Sequence, residues 1–503
     1  MATPLGYNAL IGRFRLQVPA LRQTFWLGER SAQTRTQAAD GTERVELPRG
    51  RASAEQSIIE QLTFALKREH LNLPVLGALF EHQEVIADIQ SWLHRRPTSS
   101  YARRAGYLAC WLADATFDYR APAGTPRVRL LSPDEYLVGP ETSSPQFGVI
   151  NNLLGTREFS PLVRKTPAIL ALLGENLRAK VAQAMDAIEP EMLGRAADYL
   201  YLSETRSTYS IEHEVPDNNR AAKFRHLLEA AGAPGELTEQ QLCEWQNLIV
   251  NPPSAEYSFR DVQNWLSRPG RLRNIADFIP PPSNMVGPMM KGVSRVAGYA
   301  AQGLLDPVIA ATCAAFGLVF VHPFLDGNGR LHRFLLHHVL RQAGFTPAGV
   351  VLPISARMLK QLDRYSALLK KYSGSRTELV NYRLDSDSGT IMVTSRQPLW
   401  LYAYFDATEL CEFVLQCCKL CVEEDLAAEV QYLRSHDQTV RELETWLDMR
   451  QAKLNTLIDI IVQGHGALSR SKRKFVEELT DEQLQRVEEV VSRTFADYID
   501  TRR

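Results

Sequence analysis

Apolar positions recur with a helical period along most of this chain. Ile58, Ile59, Leu62 and Leu66 share one face of a helix that the pattern extends over 53–69. Segments 71–79, 85–93 and 101–115 read the same way, with Arg95-Arg96-Pro97 as a stop. Helices are also expected over 161–188, 284–304 and 355–372, as one long stretch over 400–430, and over 440–461 and 477–498. Another is expected over 192–205, where Leu193, Ala197, Leu200 and Tyr201 align. Extended readings are fewer: 8–18, 24–27, short strand and loop over 127–160, and short strands over 381–395 around 385–389. A polar stretch surrounds Asp40-Gly41, and 350–354 is a short apolar run. Two extended runs over 257–282, turning at Ser267-Arg268-Pro269-Gly270, predict a β-hairpin.

One helix departs from the amphipathic norm. Residues 307–321 are apolar almost all round, which requires burial on every side, and they are too few to span a bilayer. Asp306-Pro307 opens the segment as N-cap and first-turn proline, so it reads as the central helix of a bundle. A second helix over 330–343 carries Leu331, Phe334, Leu335, Val339 and Leu340 at helical spacing and stops at Gly344.

Between them lies His322-Pro323-Phe324-Leu325-Asp326-Gly327-Asn328-Gly329-Arg330-Leu331-His332-Arg333. Gly327 and Gly329 allow a tight turn that aims backbone amides at one point. The second helix adds the positive end of its dipole, which favours an anion. Arg330 and Arg333, three apart on one face, can clamp phosphate oxygens. Asp326 offers a hard oxygen suited to Mg²⁺ with substrate phosphates. His322 is followed by proline and so leaves the helix, where an imidazole suits removal of a proton from a hydroxyl. Phe324 packs inward and fixes the loop.

HPFLDGNGRLHR resembles the Fic family signature HxFx(D/E)GNGRxxR at every fixed position. Chance occurrence in a chain of this length is on the order of 10⁻⁸. The resemblance implies a mainly α fold: a Fic helical-bundle core with a β-hairpin flap, a mixed N-terminal extension and a helical C-terminal region. It implies a protein adenylyltransferase that moves AMP from ATP to a Tyr, Thr or Ser hydroxyl of a target protein and releases diphosphate. His322 is then the general base, Asp326 holds Mg²⁺, Gly327, Asn328 and Gly329 cradle the phosphates, and Arg330 and Arg333 bind the β/γ end. Thr208 to Glu212 resembles the Fic inhibitory pattern [S/T]xxxE[G/N], with His213 departing at the last position. Glu212 would pair with Arg333 and deprive the γ-phosphate of its cation. The hairpin resembles the Fic flap, bounded by 263–266 and 278–280, beside which a strand of target protein docks. Segment 62–76 more loosely resembles the N-terminal region of large bacterial Fic proteins.

The domains expected are 1–125, a mixed extension; 126–380, catalytic, containing the inhibitory segment 190–214 and the flap; and 381–503, helical, with a winged-helix-like alternative. Ala121-Pro122-Ala123-Gly124-Thr125-Pro126 marks the first boundary. Composition narrows the partners. With 57 basic and 58 acidic residues among 503, net charge is −1, so no global pull toward nucleic acid or anionic membrane exists. Seven cysteines, an odd number, and the lack of a signal peptide suggest the cytoplasm. Cys411, Cys417, Cys418 and Cys421 cluster at helical spacing and read as core rather than metal ligands. His332 is placed to border the nucleotide; His337 and His338 read as structural or exposed.

ATP, a target protein and a homo-oligomer are the partners implied. Rival readings keep the site but transfer another nucleotide or phosphocholine, or remove AMP. A different class makes the chain a DNA- or protein-binding regulator or toxin–antitoxin component, using the basic run Arg470, Lys472, Arg473 and Lys474.

Overall fold

The computed structural model describes residues 2–29, 32–39, 41–48, 57–186, 188, 190–268, 275–385 and 390–496. The hairpin turn at Pro269-Gly270, Asp40, the expected helix start 53–56, most of the turn 385–389 and the end of the last helix lie outside them. The described residues are mainly helical, with small mixed sheets. The chain divides into two units. One comprises Met1–Gly174, Asp217–Gly344 and Gln361–Leu415; the other comprises Glu175–Pro216, Phe345–Lys360 and Gln416–Arg503.

The first unit is built around the central helix Pro307–Val321, packed between Ser283–Ala301 and Asn328–Gln342. Its start is as the sequence dictates: the Asp306 carboxylate accepts from the amides of Val308 at 2.9 Å and Ile309 at 3.2 Å. From Val308 to Val321 every residue except Val319 is buried. Gly317 is required by close approach, because a Cβ there would lie 2.4 Å from the Phe159 ring.

The N-terminal part of this unit corrects one expectation. Most of 8–18 is not extended; Gly6–Phe14 is a helix. Tyr7, Leu10, Ile11 and Phe14 recur at three and four, which gives one apolar face that packs on the helix Ile58–Arg68. The latter begins with a capping box, Ser57 and Glu60 exchanging side chain and amide. Strand Gln23–Leu27 does form, pairing antiparallel with Thr3–Leu5 and parallel with Glu43–Leu47.

Two more corrections come from one pairing. Residues 161–164, read as the start of a helix, belong to the strand Ser160–Arg164. It pairs in parallel with Tyr404–Asp406, so the expected long helix over 400–430 is interrupted by a strand. The pieces there are the helix Leu399–Ala403, the strand, the helix Thr408–Leu420 and the wide turns Cys421–Leu426. The partner strand lies more than two hundred residues upstream, beyond the reach of any local pattern. Elsewhere, 355–372 is split into Ile354–Lys360 and Leu362–Thr377, and 440–461 into the end of Ala427–Glu444 and Gln451–Gln463.

In the second unit the helix Pro190–Ile211 packs on Ile354–Lys360 and Ala427–Glu444. The buried Glu204 carboxylate accepts from the Ser355 amide at 2.8 Å and from its hydroxyl, satisfying the start of the short helix. Arg357 meets Asp425 through Nε at 2.5 Å and Nη2 at 2.8 Å. A separate apolar cluster joins Leu443, Leu457, Ile461, Val487 and Val491. Cys411, Cys417, Cys418 and Cys421 are buried thiols. Within the basic run, Arg473 is turned inward on the carbonyls of Val476 and Leu479, at 2.5 and 2.7 Å, and on Asp481 at 3.0 Å. No helix of the described residues is long and apolar enough to cross a membrane.

Candidate active site

The central helix stops at His322, which adopts a left-handed conformation (φ 54°, ψ 61°). Pro323 favours this exit, since its ring disfavours the helical conformation in the residue before it. The imidazole is largely buried, and its Nδ1 lies 3.1 Å from the Val319 carbonyl. A carbonyl only accepts, so Nδ1 is the donor of this pair.

Residues 323–327 are then tied down bond by bond. Phe324 is fully buried and meets Phe259 edge-on at 5.7 Å. The Asn328 side chain bridges both backbone groups of Phe324, accepting from its amide at 3.1 Å and donating to its carbonyl at 2.8 Å. Asn264 donates to the same carbonyl at 3.0 Å. The Leu325 amide donates to Glu256 at 2.8 Å, and the Gln246 amide group reaches the Asp326 carbonyl at 3.3 Å. Gly327 stands at the helix N-cap with φ 83°, and a Cβ there would lie 2.7 Å from Val250, so only glycine fits.

Asp326 and the two arginines follow from that turn. Asp326 Oδ1 accepts from the Gly327 amide at 2.6 Å and from Arg330 Nη2 at 3.1 Å. Both bonds fall on one oxygen, and the side chain is 49% exposed, so Oδ2 fits the single hard donor that Mg²⁺ takes beside substrate phosphates. Arg330 and Arg333 are both buried on the helix Asn328–Gln342, and Arg330 Nη1 also meets the Ile249 carbonyl at 3.4 Å. Glu256 is pushed above the usual carboxylate range by burial and by the neighbouring Asp326 charge, against the pull of the Leu325 and Asp326 amides.

His322, Phe324, Asp326, Gly327, Asn328 and Arg330 thus form one bonded turn, with Gly329 and Arg333 on the helix it opens. Asn328 braces the loop with its side chain rather than reaching outward. His332 is corrected: it is fully buried, 4.6 Å from the Phe316 ring and 6.2 Å from Tyr365, inside the bundle. His337 and His338 are also buried. Glu212 lies in the second unit, exposed in the turn after Pro190–Ile211, with its amide on the Tyr209 carbonyl at 3.0 Å.

The hairpin is present as Leu266–Arg268 against Ile275–Phe278, with a bulge between Leu266 and Ser267. Its base is held by Gln263 Nε2 on the Pro280 carbonyl at 2.9 Å and by the Ile279 amide on Thr377 at 3.2 Å. A cavity of about 950 Å³ in the same unit, edged by Arg22, Arg164, Lys371, Asp406 and Glu409, has none of residues 322–333 in its lining.

Sequence reasoning missed Arg260, Glu256, Gln246 and Asn264. Gln246 lies on the helix Glu239–Ile249, at helical spacing from buried Leu242, Cys243 and Ile249, and that spacing is the signal that could have found it. Glu256, Arg260 and Asn264 are isolated polar residues in a loop, whose only signal is position, just ahead of the hairpin.

Residues 236–340 match the Fic/DOC family. The protein adenylyltransferase fic-1 of Caenorhabditis elegans is 35% identical over 117 residues, 22% of this chain and 22% of that protein. Its Caenorhabditis briggsae counterpart is 47% identical over 78 residues, 16% of this chain and 14% of that one. The protein adenylyltransferase Fic of Drosophila yakuba is 28% identical over 143 residues, 28% and 26% of the two chains. The chain thus spans about a quarter or less of the length of these curated relatives. Among solved structures, a Fic family protein from Desulfovibrio desulfuricans G20 aligns over 65% of this chain and 86% of its own, with TM-score 0.38 and 16% identity.

Proposed function

We propose that this chain, a Fic/DOC-family protein through residues 236–340 and a distant, partial homologue of Fic protein adenylyltransferases, itself transfers AMP from ATP to a side-chain hydroxyl of a target protein. The observation that carries the reading is the 3.1 Å contact of His322 Nδ1 with the Val319 carbonyl. With Nδ1 committed there, Nε2 is the nitrogen that takes the hydroxyl proton.

The target oxygen then attacks the α-phosphorus, the bond to the bridging oxygen breaks, and diphosphate leaves. Catalysis rests on alignment and on charge held where it develops. The amides at the start of the helix Asn328–Gln342, Gly329 among them, receive the phosphates in the turn that Gly327 allows, and Arg330 and Arg333 take the β/γ end. Asp326 would hold Mg²⁺, which would supply neutralisation of phosphate charge. The target docks on the hairpin. Exposed Tyr257, Val262, Leu266, Ile275 and Leu325, all on the hairpin or beside the loop, favour a target segment with apolar side chains around the modified hydroxyl. Residues 126–380 are the catalytic domain in this reading, and Glu212 is its restraint.

Transfer of α-labelled ATP to the protein and to a cell lysate tests this, comparing wild type, Glu212→Gly and His322→Ala. Strong labelling by Glu212→Gly, weak labelling by wild type, and none from His322→Ala or after EDTA is the expected pattern. Equal labelling by wild type and Glu212→Gly removes the restraint and leaves the transferase. No labelling by any form, with ATP bound, removes the transferase.

A further inference from the structure

Arg260 makes a set of bonds that simple packing does not require. It is 4% exposed, and its Nε donates to the His322 carbonyl at 2.8 Å. Its Nη2 donates to the Pro281 carbonyl at 2.5 Å and to Val321 at 3.3 Å, while Nη1 donates to Val262 at 2.9 Å. Its own amide donates to the Pro323 carbonyl at 2.9 Å. One residue therefore satisfies three successive carbonyls, 321 to 323, where the central helix ends. Val262 lies ahead of the first hairpin strand and Pro281 lies after the second. Burial lowers the guanidinium to about 10, which leaves it charged at neutral pH.

We infer that Arg260 is the positioning residue of the reaction: it fixes the backbone and ring direction of His322 and sets both flanks of the hairpin in register with it. Two features make the fork suited to this. A left-handed residue bearing a Cβ is unfavourable by about 1–2 kcal/mol, so the His322 conformation persists only if the surroundings hold it. The helix-end carbonyls carry partial negative charge, which a cation answers better than a neutral donor. A planar group with donors on three nitrogens can reach both the helix end and the two hairpin flanks; an ammonium cannot span them in fixed geometry.

The phosphate half of the site is braced separately. Asn328 closes on Phe324, Glu256 holds the Leu325 amide, and Gln246 holds the Asp326 carbonyl. Loss of Arg260 should therefore disturb the base and spare the nucleotide. This separation distinguishes positioning from general damage, which would weaken both together.

The inference rests on the transferase reading, so the test carries a readout independent of activity. Glu212→Gly, Glu212→Gly/Arg260→Lys and Glu212→Gly/Arg260→Gln are compared, with melting temperatures measured and assays run well below them. Arg260→Gln is expected to lower kcat about 100-fold, as misplacement of a reacting group by about 1 Å does. Its Kd for Mg-ATP should stay within about twofold, and Arg260→Lys should recover part of the rate. In parallel, ¹⁵N-histidine NMR, with the His322 signal identified by its loss in His322→Ala, should show the Nδ1-protonated tautomer in the parent and a mixture in Arg260→Gln. Unchanged kcat, or an ATP Kd that rises in step with the lost rate, overturns the positioning role. If Glu212→Gly transfers nothing, the proposed function fails and the tautomer decides alone: a mixture upholds Arg260 as the group that sets the ring, and an unchanged tautomer overturns it.

Discussion

Asn328 shows how a single side chain sets the shape of a reactive loop. Its amide group both accepts from and donates to the backbone of Phe324, four residues earlier, in a fully buried setting. Only a group with a donor and an acceptor in one plane satisfies both. Asn328→Asp keeps the acceptor and loses the donor, leaving the Phe324 carbonyl opposite a carboxylate. The expected loss is about 2–3 kcal/mol in urea unfolding, the range for a buried polar group stranded without its partner. Mg-ATP affinity should fall with it, because the turn that opens the helix is the one Asn328 closes. A variant that unfolds like wild type and binds ATP like wild type would show that Asn264, on the same carbonyl, suffices. The fixed positions of the motif were legible in the sequence because each has a distinctive chemistry at a distinctive spacing. The role of Asn328 as a brace was not, since a residue type does not reveal which neighbour its amide faces.

At the scale of an element, the helix Asn328–Gln342 is the one that turns sequence into a site. Its first turn carries Arg330; its inner face, from Leu331 to Leu340, is buried. His338 shows what this burial imposes. Its Nδ1 accepts from the Gly232 amide at 3.2 Å, the Trp245 ring lies 4.6 Å away, and burial pushes its pKa down to about 4. The unfolded chain binds a proton there near 6.5, so below that pH the unfolded state is favoured, and stability falls until the folded protein also protonates near 4. The span amounts to about 3 kcal/mol. His338→Asn keeps an acceptor for Gly232 and removes the titration. It should be less stable at pH 7.5 through lost ring contacts, yet lose less on acidification to pH 4.5; a parallel decline in both proteins would assign the acid sensitivity elsewhere. Such helices were readable from apolar spacing alone. The strands Ser160–Arg164 and Tyr404–Asp406 were not, because their extended form is imposed by pairing with each other. The helix Gly6–Phe14 was mistaken for a strand although its apolar spacing is helical, because the segment is short and mixes in glycines and arginines.

At the scale of the whole molecule, each of the two units is assembled from separated stretches of chain. No local pattern announces such an arrangement. The second unit joins 175–216, 345–360 and 416–503, and polar bonds stitch these stretches together. Glu204 on the helix Pro190–Ile211 holds the start of Ile354–Lys360 through Ser355, Arg357 reaches Asp425, and Arg195 meets Asp437 at 2.6 Å. Of these, Glu204 is the most committed, being fully buried. A carboxylate there is stabilising only while its partners are in place, since an isolated buried charge is strongly unfavourable. The same bond that caps one helix therefore also anchors the helix leading to Glu212. Glu204→Ala leaves the Ser355 amide and hydroxyl without that acceptor, at a cost of about 2–3 kcal/mol. If the unit is held by this bond, hydrogen exchange should quicken in Pro190–Ile211 and Ile354–Lys360 together. Exchange in Pro307–Val321, whose own start is capped by Asp306, should stay slow. Faster exchange confined to 354–360 would reduce Glu204 to a local cap, while uniform acceleration through the central helix would mean that the two units unfold as one.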